Sequence, residues 1–230
     1  MADVLEKPRK GEDVRPKGRI GRRLLITSPK GGVGKSTTSR NTAVAAAVES
    51  GLKVAILDLD PQRGCVKWFA MRPDDKVVAV DMYDGAIEKF EDAFAEMDED
   101  YDLVVIDTPT SVEEHKGAMK RLILSCDAVL IPTGQHWDDT KSVTDWMRYV
   151  RSCGARASFL LNRCKPRTKS FKEARVALLK AGPLCPVEVP DREDIPTLAS
   201  AGLTVVDVNG MKSSDEVIGV WLHLKNEMGF

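Results

Sequence analysis

The segment Lys30-Gly31-Gly32-Val33-Gly34-Lys35-Ser36-Thr37 restricts the fold more than any other stretch of this chain. An apolar run, Leu24–Thr27, leads into it, and a helix-like stretch near 36–50 follows. Glycines at 31, 32 and 34 let the backbone curl tightly between strand and helix, so that successive N–H groups turn toward one point. The helix behind them adds the partial positive charge of its first turn. With Lys35 to neutralise terminal phosphate oxygens and Ser36 to offer a hydroxyl to Mg2+, the segment reads as a phosphate cradle over residues 30–37.

A strand–loop–helix of this kind belongs in a parallel sheet, and the rest of the chain predicts one. Further apolar runs occur at Val54–Leu57, Val77–Val80, Leu103–Ile106, Ala128–Ile131, Ser158–Leu161 and Val187–Val189. Helix-like stretches near 64–71, 84–98, 111–125, 138–153 and 169–181 lie between them. Strands that are apolar throughout, rather than alternately, are those covered on both faces. The fold class is therefore α/β: a doubly wound, mostly parallel sheet with helices on both faces. The length of 230 residues suits one core, taken as a single domain over 22–230, behind a flexible basic tail at 1–21. A closing helix near 213–228 gathers Val217, Ile218, Val220, Trp221, Leu224 and Met228 on one side, the pattern of a core-packed helix.

Composition narrows the function classes. The five cysteines stand singly, with no metal-binding spacing, which fits buried or idle thiols in a reducing, cytoplasmic compartment. No run reaches the roughly 18 apolar residues of a membrane span. The net charge of −1 conceals a strong polarity: residues 148–180 carry ten bases against Glu173, whereas 74–114 carry fifteen acids against Lys76 and Lys89. Such segregation concerns partners rather than fold. The acidic stretch reads either as a solvated face or as a docking surface for a basic partner.

Lys30, ahead of the first glycine, makes the loop resemble that of the deviant Walker A P-loop ATPases, the family of ParA, MinD and the nitrogenase iron protein. Asp58-Leu59-Asp60-Pro61-Gln62 is similar to the family's first switch, and Asp107-Thr108-Pro109 to its second. The resemblance implies ATP and Mg2+ as cofactors and residues 30–37, Val33 and Thr37 included, as the nucleotide contacts. It implies that Lys30 crosses a dimer interface to the second subunit's nucleotide while Lys35 acts in cis. It places Ser36, Asp58 and Asp107 around Mg2+ and has Asp60 orient or deprotonate the attacking water. Asn162, after the run at 158–161, matches the asparagine that reads the adenine edge, and Pro190 the region that packs on the base. The similarity spans about 22–230 and is sharpest up to Pro109.

The resemblance also predicts a partner set: an ATP-dependent homodimer, nonspecific double-stranded DNA, and a ParB-like or cargo adaptor that stimulates slow hydrolysis. Arg163, Lys165, Arg167, Lys169, Lys172 and Arg175 are the candidate DNA contacts, with poor aromatic interleaving, so phosphate contact is the expected mode. Arg15, Lys17, Arg19, Arg22 and Arg23 could add weak contacts from the tail. The expected role is a ParA-like positioning or plasmid-partition ATPase, cytoplasmic and nucleoid-associated, with no membrane partner. The alternative, a MinD-like membrane-associated ATPase, needs a basic amphipathic tail that the closing helix does not supply. Electron transfer would need paired cysteines, and a generic kinase leaves Lys30 unexplained.

Overall fold

A computed structural model of the chain describes residues 21–73, 76–97 and 100–230. Its sheet has seven strands in the order β3-β2-β4-β1-β5-β6-β7. The strands are β1 (Arg22–Ile26), β2 (Val54–Asp58), β3 (Asp81–Asp84), β4 (Leu103–Asp107), β5 (Ala128–Thr133), β6 (Ala157–Cys164) and β7 (Val189–Pro190). Every pairing is parallel. The helices are α1 (Lys35–Ser50), α2 (Gly64–Phe69), α3 (Phe90–Met97), α4 (Lys116–Leu124), α5 (Trp137–Ser152), α6 (Lys169–Ala181), α7 (Asp194–Ala199) and α8 (Ser214–Met228).

Alternate strand residues feed two cores, which is why the central runs are apolar at every position. Leu25, Leu57, Ile106, Ile131 and Phe159 pack beneath α3, α4, α5 and α6. Leu24, Ile26, Ile56, Val105 and Leu130 pack beneath α1, α2 and α8. The alanines of α1 at 43 and 45–47 are buried, and their small side chains bring that helix close to the sheet. On α8, Val217, Val220, Trp221, Leu224 and Met228 are buried, and Trp221 Nε1 donates to Ser50 Oγ of α1 at 3.0 Å. The core-packing reading of the closing helix holds.

Three expectations change. The run Val77–Val80 is not a strand; β3 is the adjacent Asp81–Asp84, an edge strand paired only with β2. An edge strand needs no continuous apolar run, because one side of it faces water. Arg22 and Arg23 are not tail residues but open β1. There Arg22 Nη1 donates to Asp127 at 2.8 Å, and the Arg23 guanidinium lies 3.9 Å from the Phe94 ring centre. The rest of the expected tail, residues 1–20, lies outside the described residues. Finally α7, a six-residue helix too short to show a period, was not anticipated.

Candidate functional site

The cradle forms where β1 meets α1. Gly32 and Gly34 adopt left-handed backbones, with φ of 74° and 86°. Gly34 also has no room for a side chain, since a Cβ there would come within 2.4 Å of Asn162 Nδ2. The first turn of α1 carries no acidic residue and no side-chain cap, so its N–H groups stay open to an anion. Lys35 is buried, and its Nζ donates to the Lys30 carbonyl at 3.3 Å. Burial lowers its pKa, opposed by Asp107 and Asp60. A buried ammonium beside uncapped amides is a cavity wall prepared for negative charge.

Beside it lie two carboxylates. Parallel register sets Asp58 directly against Asp107 at the C-terminal ends of β2 and β4, where α/β ligands bind. Asp58 accepts from the backbone N–H groups of Asp60 (3.0 Å), Cys65 (2.9 Å) and Val66 (3.2 Å). Its pKa is nevertheless raised by burial. Burial pushes Asp107 up to about 6, against the lowering effect of hydrogen bonds from Ser36, Ser39 and Cys65. Two buried acids that both resist ionisation fit a cation between them. Ligand atoms of Asp58, Cys65 and Asp107 all lie within 4.8 Å of one another. Cys65 is a buried thiol as expected, but its place beside the acids was missed; its Sγ donates to Asp107 Oδ2 at 3.5 Å. Only the approach of α2 to the end of β4 puts it there.

Lys30 and Asp60 sit on the rim. Lys30 Nζ is 3.8 Å from Asp139 Oδ1 in the first turn of α5. Asp60 Oδ1 accepts from Gln62 N at 2.9 Å, and Asp60 lines a cleft of about 290 Å³ with Pro61, Asp84, Pro109 and His115.

The sequence signature of the CobQ/CobB/MinD/ParA nucleotide binding domain matches residues 24–205. This chain belongs to that family. Among its relatives is the maintenance of carboxysome distribution protein A of Gloeobacter kilaueensis, 29% identical over 154 residues, which cover 66% of this chain and 68% of that one. The fold is also that of MinD from Pyrococcus horikoshii, solved with Mg-ADP, at a TM-score of 0.70 and 19% identity, covering 91% of this chain and 98% of that one. A plasmid partition protein from Borrelia burgdorferi superposes at a TM-score of 0.63 and 18% identity, covering 89% and 99% of the two chains.

In this ParA/MinD-type domain, Asn162 supports the loop. Its Nδ2 donates to the Val33 carbonyl at 2.8 Å, and its Oδ1 accepts from Arg163 N at 3.0 Å. Nδ2 also reaches Thr38 Oγ1 at 3.5 Å, and Oδ1 keeps a second acceptor position. Pro190 lies half-buried in β7, in register with Cys164. Arg163 turns toward the cradle, donating to the Gly32 carbonyl at 3.1 Å. Arg175 is half-buried and donates to Glu188 at 3.3 Å. Lys165, Arg167, Lys169 and Lys172 are exposed, with Lys169 3.6 Å from Glu173. Of the six expected DNA contacts, Arg175 is half-buried, Arg163 and Lys169 are exposed but paired locally, and Lys165, Arg167 and Lys172 are exposed.

Proposed function

We propose that this ParA/MinD-type ATPase pairs with a second copy of itself across Mg-ATP, binds duplex DNA without sequence preference, and distributes a cargo along it. The observation that carries the reading is Lys30. The cis set of Lys35 and Ser36 completes the cradle, and Lys30 extends onto the rim with its side chain 41% exposed. Within one subunit its ammonium meets Asp139 at 3.8 Å and, among the described residues, no group of the cradle. The relatives named for carboxysome distribution and plasmid partition support cargo placement.

Bound in the cradle, ATP with Mg2+ supplies the phosphoryl group that passes to water. The open amides of the first turn of α1 and the buried Lys35 hold the phosphates, and Ser36, Asp58 and Asp107 hold the metal. Asp60 orients a water or takes its proton. Burial raises the pKa of both carboxylates, so a cation held between them would favour their charged forms. Among the described residues no helix is long and apolar enough to cross a membrane, and the apolar side of α8 is committed to the core. An adaptor that stimulates hydrolysis has the acidic face around Asp84 and Glu88, next to Asp60, as its point of entry.

Lys30→Ala is expected to bind ATP with near wild-type affinity yet stay a single subunit in light scattering with AMPPNP, whereas wild type doubles its mass. A normal dimer from this variant would remove the basis of the reading. For DNA, roughly two or three phosphate contacts per subunit predict a log–log salt slope of about −4 to −5 for the dimer. Replacing Lys165, Arg167 and Lys169 together by Ala should flatten the slope, equally on unrelated duplexes, and spare basal ATPase activity. An unchanged slope would show that these bases are solvated surface and make no phosphate contacts.

A further inference from the structure

Trp68, Trp146 and Trp221 are buried, but Trp137 is 69% exposed. It is the first residue of α5, and its neighbours His136 and Asp139 line a cleft of about 290 Å³ with Gly31, Gly32 and Arg163 beside the cradle. The ring is steadied by the Lys141 ammonium, 4.8 Å from its centre. A solvated indole leaves well over 100 Å² of apolar surface in water, and tryptophan is the side chain most enriched at the energetic centres of interfaces.

Around it the rim carries both signs of charge. Lys30, Lys141 and Arg163 stand near Asp138, Asp139 and Asp191, with Arg163 Nε 3.7 Å from Asp191. A two-fold contact between identical copies requires such self-complementarity, because each patch meets itself. A DNA backbone would instead favour an unmixed basic rim.

Asp139 adds a restraint. Its carboxylate lies so close over Gly134 that a Cβ at 134 would fall 2.4 Å from Oδ2. Its side chain is less exposed than that of Lys30, at 18% against 41%. The carboxylate is thus the fixed end of the pair and Lys30 the movable one. Swinging Lys30 outward leaves a half-buried acid without its cation, which favours the inward position until another anion competes.

We infer that Trp137 is the apolar anchor of the face on which a second copy of this chain docks, and that Asp139 holds Lys30 back in the single subunit. This rests on the proposed nucleotide-dependent pairing. When the second copy arrives, Lys30 leaves Asp139 for the phosphates held opposite it, and the indole is covered in the same movement.

The test uses the full chain with AMPPNP and Mg2+, following mass by light scattering and the exposed indole by acrylamide quenching of tryptophan fluorescence. Wild type should double its mass and lose most of its quenchable fluorescence together. Trp137→Ala should weaken pairing by about 30-fold or more while a single subunit's affinity for a fluorescent ATP analogue stays within a factor of two. Asp139→Asn should pair about 2- to 5-fold more readily. Leu222→Ala, which removes another exposed apolar side chain, on α8, should pair like wild type. If wild type pairs but quenching is unchanged and Trp137→Ala pairs normally, the anchor is wrong and the pairing stands. If Asp139→Asn pairs no more readily, the restraint is wrong. If wild type stays single, the pairing itself fails and the inference with it.

Discussion

Asp60→Ala is expected to bind Mg-ATP at near wild-type affinity and to hydrolyse it roughly 100-fold more slowly, or worse. The carboxylate follows β2 by two residues and is fixed at one oxygen by Gln62 N. Among the described residues no hydrogen bond reaches its second oxygen, which leaves that atom available to a water. The other two acids of the site are committed differently: Asp58 already accepts from three backbone N–H groups, and Asp107 is buried against Ser39 and Cys65. Asp60 alone has both the exposure and the free oxygen that water activation needs. Single-turnover hydrolysis, with nucleotide affinity measured separately, checks the result. Asp60→Asn then divides the role, since an amide can orient a water but cannot take its proton. Turnover within a factor of two of wild type in Asp60→Ala would release Asp60 from catalysis altogether.

Removing either partner of the Arg72–Asp207 pair should cost about 3–5 kcal/mol of stability. Arg72 Nη1 and Nη2 each reach an oxygen of Asp207 at 2.8 Å, and both side chains are almost wholly buried. The guanidinium also donates to the carbonyls of Gly202 (3.2 Å) and Val78 (3.0 Å), while Asp207 accepts from Thr204 N at 2.7 Å and from its hydroxyl at 2.9 Å. The pair ties the end of α2, which follows Asp60, to the segment between α7 and α8. Gly202 permits the approach: its φ is 71°, and a Cβ there would sit 2.3 Å from the Met71 backbone. Asp207→Ala leaves a buried cation with no counter-charge, so the urea midpoint should fall sharply with little change in slope. The double replacement Arg72→Met with Asp207→Leu should recover much of the loss, because desolvation of both ions disappears with the pair. A single variant within about 1 kcal/mol of wild type would mean that water reaches this pair.

The cradle was legible because its determinants are local. Glycines at 32 and 34 permit left-handed turns, and Lys35 and Ser36 follow in the adjoining helix, so every requirement is met within eight consecutive residues. The central strands were legible for a similar reason: burial on both faces removes alternation and leaves continuous apolar runs. β3 escaped because an edge strand is not under that constraint. Asp58 and Asp107 could each be placed at a strand end from the chain alone, but their adjacency comes from the pairing of β2 with β4, which lie 49 residues apart in register.

Other features have no local signature. Lys30 meets Asp139, Arg72 meets Asp207, Asn162 meets Val33, and Cys65 meets Asp107 only because helices and loops from distant parts of the chain are packed together. Charge in the sequence likewise marked a basic segment without showing that Arg163 and Arg175 already have acceptors. Hydropathy could not separate Trp137 from the three buried tryptophans, since nothing in a residue's type tells whether another element will cover it. Periodicity and backbone permission act over a few residues and can be read along the chain. Which long side chain reaches which partner is set by packing among segments scores of residues apart, and only the assembled tertiary structure decides it.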